Sequence, residues 1–257
     1  DRYNLDFIGF PDDNFAVDRR RIKKMVPVFK EYGLDDVRWG THTRMDEADD
    51  RIYDMSASGC VYIGFGAESA DPYTLKLMKK GGFILKNGLT EKKVNGKAYQ
   101  FPTTMVTAVE NCKNIHGNCT WIMAYPGEGL QHLKTSVAFI KWQQQFWTKN
   151  LSPDTVEYDM SYRGVNQQMF TATAYPGTEM WKVVRPKLTE HFEISFDKTG
   201  EPVCDENFHK YVLELDDATK VLNNKNGEPV NFGDMPMDKF LLAREHVDSK
   251  EKILEME

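Results

Sequence analysis

Short apolar runs separated by amphipathic stretches recur along the first two thirds of the chain. Leu5–Phe10 and Cys60–Phe65 are continuous apolar runs of strand length, and Val37–Thr43, Asn118–Ala124 and Val156–Ser161 read as further strands. Between the first two strands, residues 17–32 place Ile22, Met25, Val26 and Phe29 at helical spacing, with Pro27 as a kink and Gly33 as the stop. Helices are also predicted over Asp46–Ser58, Pro72–Lys80, Thr103–Lys113, Leu130–Phe146 and Glu179–Val184. Strands that are apolar throughout and alternate with helices predict a parallel sheet with helices outside it. Five such units fall short of a closed eight-fold barrel, so the pattern predicts an open or partial one.

Two regions break the rhythm. Residues 83–101 carry Asn-Gly at 87–88 and 95–96 between alternating stretches, which predicts a β-hairpin insertion. Beyond Arg185 the texture becomes short strands and turns, and Met237–Glu257 returns to helix. Gly-Glu-Pro-Val occurs at 200–203 and again at 227–230, too short a match to establish a repeat. The predicted organisation is a barrel domain over 1–185 and a C-terminal extension over 186–257, packed on the barrel.

Composition narrows the class. The 257 residues are 40% hydrophobic and 28% charged, as in an ordinary globular protein. A net charge of −6 argues against non-specific binding to nucleic acid or anionic membrane. No apolar run reaches the roughly 20 residues that cross a bilayer. Cys60, Cys112, Cys119 and Cys204 are scattered, with no CxxC among them. Such spacing reads as buried thiols in a reducing, cytoplasmic compartment and predicts no metal site. The chain opens at once on a strand, without Met, so a preceding segment is expected. The uncovered edge of the first strand would then invite self-association.

In parallel α/β folds ligands bind at the carboxyl ends of the strands. Those ends carry Pro11-Asp12-Asp13-Asn14, Thr41-His42-Thr43-Arg44-Met45-Asp46, Gly64-Phe65-Gly66-Ala67-Glu68-Ser69, Ala124-Tyr125-Pro126-Gly127-Glu128 and Ala174-Tyr175-Pro176-Gly177-Thr178. Each group also has a plain structural reading. Asp12, Asp13 and Glu68 suit helix N-termini, and Arg44 suits a surface ion pair. Asp12, Asp13, His42 and Glu68 are alternatively the ligands of a divalent metal in a hydrolase or lyase, although no HxH or HExxH pair supports that. His116 and His132 read as surface residues.

Taken together, FIGFPDDNF (7–15), WGTHTRMD (39–46), CVYIGFGAES (60–69), GNCTWIMAYPGE (117–128) and TAYPGTEMW (173–181) resemble, in order and spacing, the radical S-adenosylmethionine (radical SAM) superfamily. The branch most similar is the one often preceded by a cobalamin-binding domain. The resemblance covers about residues 5–185 and implies an α/β fold: a partial TIM-type (β/α)6 barrel lacking its first βα unit. It implies S-adenosylmethionine as cofactor and, in the longer protein only, a [4Fe–4S] cluster on a CxxxCxxC loop that this chain does not contain, with cobalamin as a further candidate. By the same resemblance, Pro11, Asp12 and Asp13 meet the methionyl amino group and Arg44 the carboxylate. Glu68 and Ser69 lie near the ribose. Ile122, Ala124, Tyr125, Pro126 and Gly127 pack on adenine, with Ala124 standing where the family often has Gly. Tyr175, Pro176 and Gly177 lie nearer an unidentified substrate.

Three functions follow as expectations. The first is a radical SAM enzyme core, inactive as this chain alone, that cleaves S-adenosylmethionine to a 5′-deoxyadenosyl radical or transfers a methyl group. The second is a cluster-less S-adenosylmethionine- or nucleoside-binding scaffold, and the third the metal hydrolase or lyase.

Overall fold

The apolar runs become strands, and the described ones of the main sheet lie parallel. A computed structural model describes residues 5–34, 36–112, 115–150, 168–216 and 221–257. They fall into two compact units, Asp1–Trp121 with Thr135–Gln168, and Ile122–Lys134 with Met169–Glu257.

In the first unit β1 (Phe7–Gly9) pairs with β2 (Arg38–Thr43), β2 with β3 (Cys60–Glu68), and β3 with β6 (His116–Met123). The register sets His42 opposite Gly64 and Gly64 opposite Asn118. Alternation along each strand sorts the side chains. Trp39, Thr41 and Thr43, then Ile63, Phe65 and Ala67, then Cys119 and Trp121 are buried. The residues between them, His42, Tyr62, Gly66, Asn118 and Thr120, stay accessible on the other face. Trp39 anchors the buried side, with the rings of Phe10, Phe15 and Phe29 at 5.4, 5.1 and 6.5 Å. Its indole N–H donates to the Ser58 carbonyl at 2.7 Å.

Helix α1 (Arg19–Glu31) begins where Asp18 accepts the backbone N–H groups of Arg20 and Arg21 at 2.9 and 3.3 Å, and it carries Pro27 inside it. The stretch predicted as one helix over 46–58 is a 3-10 turn at Met45–Glu47 followed by α2 (Arg51–Ala57). α3 (Pro72–Leu77) is capped by Asp71, and α4 (Gly81–Ile84) is a single turn. β4 (Leu89–Val94) and β5 (Lys97–Pro102) form an antiparallel hairpin. Asn95 and Gly96 both have positive φ at its turn, which is what Asn-Gly supplies. α5 (Thr103–Asn111) returns to β6. α6 (Leu130–Asn150) follows the strand, and its Phe139 ring lies 5.7 Å from that of Trp121.

In the second unit the end of β6 meets β7 (Met169–Thr171), the Ala172 N–H donating to the Met123 carbonyl at 2.8 Å. The sheet order is therefore β1-β2-β3-β6-β7. A strand had been expected over 156–161, a segment outside the described residues; the described strand sits later. The core gathers Trp181, Leu188, Ile194, Tyr211 and Phe232 from α7 (Glu179–Val183), α8 (Arg185–Phe192), α9 (Glu206–Leu213) and the loops after them. The expected boundary at 185 falls inside this unit. The last helical stretch divides into α10 (Met237–Glu245) and α11 (Lys250–Glu255).

Candidate functional site

In the first unit the tip of β1 is tied to the tip of β2 by Asn14. Its Oδ1 accepts the Thr43 hydroxyl at 2.8 Å and the Arg44 N–H at 3.3 Å. Sequence reasoning placed Asn14 at the strand end without giving it a role, although Asn after a strand is a standard turn signal. Pro11 and Asp13 are exposed, while Asp12 faces Arg21 at 3.4 Å. Arg44 is engaged within the unit. It holds Asp46 through two hydrogen bonds, at 2.9 and 3.1 Å, and lies over the Phe83 ring at 4.2 Å. Glu68 accepts from Lys80 at 2.7 Å and adopts φ 63, a left-handed conformation that costs a non-glycine residue about 1–2 kcal/mol. Ser69 is fully buried; its hydroxyl pairs with that of Ser136 at 3.0 Å and accepts the Asp71 N–H at 3.1 Å.

Below these tips, on the accessible face, lies a cavity of about 330 Å³. Gly64 and Gly66 are its floor. A Cβ on Gly64 would collide with the His42 ring, and one on Gly66 would stand 2.9 Å from the Glu68 carboxylate, so glycine at these positions makes room for the imidazole and the carboxylate. His42, Tyr62, Asn118, Thr120, Asp13 and Gln168 form the walls. The Tyr62 ring is stacked on His116 at 5.6 Å. His116 is therefore buried against Tyr62, not the surface residue expected from the sequence.

In the second unit both Tyr-Pro-Gly segments close the same turn. The Glu128 N–H returns to the Tyr125 carbonyl at 2.8 Å, and the Thr178 N–H to that of Tyr175 at 3.2 Å. Gly127 and Gly177 have φ 88 and 82, the left-handed position such turns require. Ala124, with φ 62, donates its N–H to the buried Glu128 carboxylate at 2.6 Å. A later loop grips this turn. Asp234 accepts from the Gly127 N–H at 3.2 Å and donates its own N–H to the Glu128 carbonyl at 2.9 Å. Lys187 holds that loop, donating to the carbonyls of Asn231, Phe232 and Gly233 at 3.1, 3.0 and 3.0 Å. Ile122 and Tyr125 pack half-buried on the core. Tyr175, Pro176 and Gly177 are exposed, next to Ala174, whose carbonyl accepts the Tyr211 hydroxyl at 2.6 Å.

The donor set speaks to two groups. Asp12, Asp13, His42 and Glu68 do not assemble a metal site: among the described residues no three His, Cys, Asp or Glu side chains are placed to hold an ion. The cysteines do not fit an iron–sulfur cluster either. Burial pushes the Cys60 and Cys119 thiols up to about 12 and raises Cys112 as well, so all three stay protonated where a cluster needs thiolates. Among the described residues, no helix is long and apolar enough to cross a membrane.

No protein-family profile matches the sequence. It is 25% identical over 183 residues to an uncharacterised methyltransferase of Pyrococcus horikoshii, which covers 70% of this chain and 32% of that protein. The chain thus spans about a third of the length of the curated relative it matches. Among solved structures it is similar to TsrM of Kitasatospora setae, a radical S-adenosylmethionine methyltransferase determined with cobalamin and a [4Fe–4S] cluster. That similarity has TM-score 0.40 and 14% identity, over 54% of this chain and 26% of that one. The cobalamin-dependent S-adenosylmethionine radical enzyme OxsB gives TM-score 0.45 and 15% identity over 79% of this chain and 31% of its own. What this chain is similar to, in sequence and among solved structures, is a methyltransferase and cobalamin-dependent radical S-adenosylmethionine enzymes.

Proposed function

We propose that this chain is the greater part of a radical S-adenosylmethionine barrel and takes part in a methyl-transfer reaction as a piece of a longer enzyme. The reading rests on the 183-residue similarity to a methyltransferase, together with the motifs that sit after successive parallel strands. One observation carries it: the parallel strands β2, β3 and β6 turn a glycine-floored, polar face to a cavity walled by Asp13 and His42, where a structural sheet would present apolar side chains.

The residues present fit S-adenosylmethionine, a ligand with two cationic centres. Asp13 is the carboxylate at the cavity wall and supplies the matching charge. In this reading Pro11, Asp12 and Asp13 receive the methionyl end, and the Glu68 carboxylate exchanges Lys80 for the ribose hydroxyls. Arg44 and Ser69 act at one remove, the first by fixing Asp46 and Phe83 and the second by anchoring the end of β3 to Ser136. When bound, the cofactor supplies an electrophilic methyl group and a cleavable sulfonium. The three buried cysteines do not fit a cluster, so in this reading they are not its ligands. Cobalamin and the methyl acceptor are sought in the longer protein.

Titration calorimetry with S-adenosylhomocysteine, which needs neither iron nor reductant, tests the reading. Binding by the intact chain, weakened at least tenfold by Asp13→Asn, is expected. No heat of binding from S-adenosylhomocysteine or S-adenosylmethionine would remove it. A cluster-free nucleoside-binding role for the chain by itself is favoured by the three protonated thiols; adenosine binding as tightly as S-adenosylhomocysteine is its signature.

A further inference from the structure

The cavity on the accessible face of β2, β3 and β6 has a chemistry of its own. Among the described residues, Asp13 and His42 are its acidic and basic wall residues, and no Lys or Arg lines it. A ligand whose only charge is a phosphate or carboxylate would be opposed by Asp13. The walls are rich instead in acceptors. Asn118 donates its Nδ2–H to the Tyr62 hydroxyl at 3.3 Å, while its Oδ1 is buried with no hydrogen-bond partner among the described residues. A buried acceptor without a donor is costly, and an incoming N–H group is what relieves it. χ2 of Asn turns through a broad range, so the carboxamide can bring Oδ1 to a ligand. Thr120 spends its hydroxyl hydrogen on the Phe65 carbonyl at 3.4 Å, which leaves its lone pairs to accept. The His42 ring packs on Gly64 at the floor and lines the cavity, so its face gives a flat group a surface to stack on. At about 330 Å³ the cavity stands at the small end of the range for small-molecule sites, about 300–1,000 Å³.

We propose that this cavity is the substrate pocket, and that it takes a flat ring bearing N–H donors, neutral or singly cationic and not anionic, with Asn118 as the residue that reads the N–H edge. The word substrate rests on the function proposed above; the binding preference does not.

Three isosteric probes, benzamidine, benzamide and benzoate, separate the charge states in titration calorimetry or ligand-observed NMR on the full chain. Benzamidine and benzamide are expected to bind at least tenfold more tightly than benzoate. Asn118→Leu is expected to weaken both by at least tenfold. Asn118→Asp keeps the shape and adds a charge; it is expected to raise the preference for benzamidine over benzamide several-fold, and it serves as the test if the Leu variant does not fold. Benzoate binding as well as benzamidine, or Asn118→Asp leaving that preference unchanged, would overturn the proposal. Amidine binding without S-adenosylhomocysteine binding would leave the pocket standing and defeat the cofactor reading alone.

Discussion

Ala124 shows how much of a site lives in single residues. It occupies a left-handed conformation at the end of β6, and Gly233 presses on it so closely that a Cβ there would stand 2.9 Å from the Ala124 Cα. Gly233→Ala therefore meets backbone, not a side chain that can swing away. It is expected to cost about 2–3 kcal/mol, the upper part of the range for overpacking, read as a lower urea midpoint. The sequence placed Ala124 at the end of a strand, and its positive φ is a conformation that glycine adopts without cost. It did not announce that a loop more than a hundred residues later would press on the same atom, because local patterning carries no information about such pairings. The cysteines make a second residue-scale test. Cys204 is exposed and the other three are buried and held protonated. At pH 8 a thiol reagent is expected to modify Cys204 rapidly and the remaining three only after denaturation; fast reaction of all four in the native protein would contradict the burial.

At the scale of elements, the duplicated Gly-Glu-Pro-Val proves to be more than a coincidence of four letters. In the first copy Asp197 accepts from the N–H groups of Thr199 and Glu201 at 2.8 and 3.0 Å; in the second, Asn224 accepts from Asn226 and Glu228 at 2.9 and 3.0 Å. Phe196 bridges Pro202, and Asn223 bridges Pro229. Val203 donates to the Ser195 carbonyl and Val230 to that of Leu222, both at 2.8 Å. The two are one hairpin built twice, and the signal lay in the Asp or Asn three residues ahead of a glycine, outside the matched letters. Gly200 and Gly227 have φ 84 and 80, and Gly227 has nothing near its missing Cβ. Gly227→Ala therefore isolates the backbone term and is expected to cost about 1–2 kcal/mol in chemical denaturation. Helices were legible where a cap stood before them, as Asp71 and Thr178 do; β7 escaped because three residues are too few for any periodicity.

At the scale of the whole molecule, β1 is the least protected part of the sheet. Among the described residues it pairs only with β2, and Leu5 and Phe7 are 61% and 46% exposed. We propose that this strand recruits another: the chain is expected to show concentration-dependent association in light scattering, and Phe7→Lys is expected to suppress it. A strictly monomeric chain at high concentration would count against the idea. The sequence read the α/β class and most strand positions correctly because apolar runs and periodicity are local. The division into units was not legible, since it falls within β6, between Trp121 and Ile122, where the apolar run continues without a break.

That division has a consequence for anyone who would take the molecule apart. The backbone passes from one unit to the other after Trp121, returns after Lys134 and leaves again after Gln168. Neither unit is a contiguous length of polypeptide, so no single scission releases either one whole. A protease nick or a gene split at any of these crossings would give two fragments that can regain the native state only by finding each other, like halves of a zip sharing one slider.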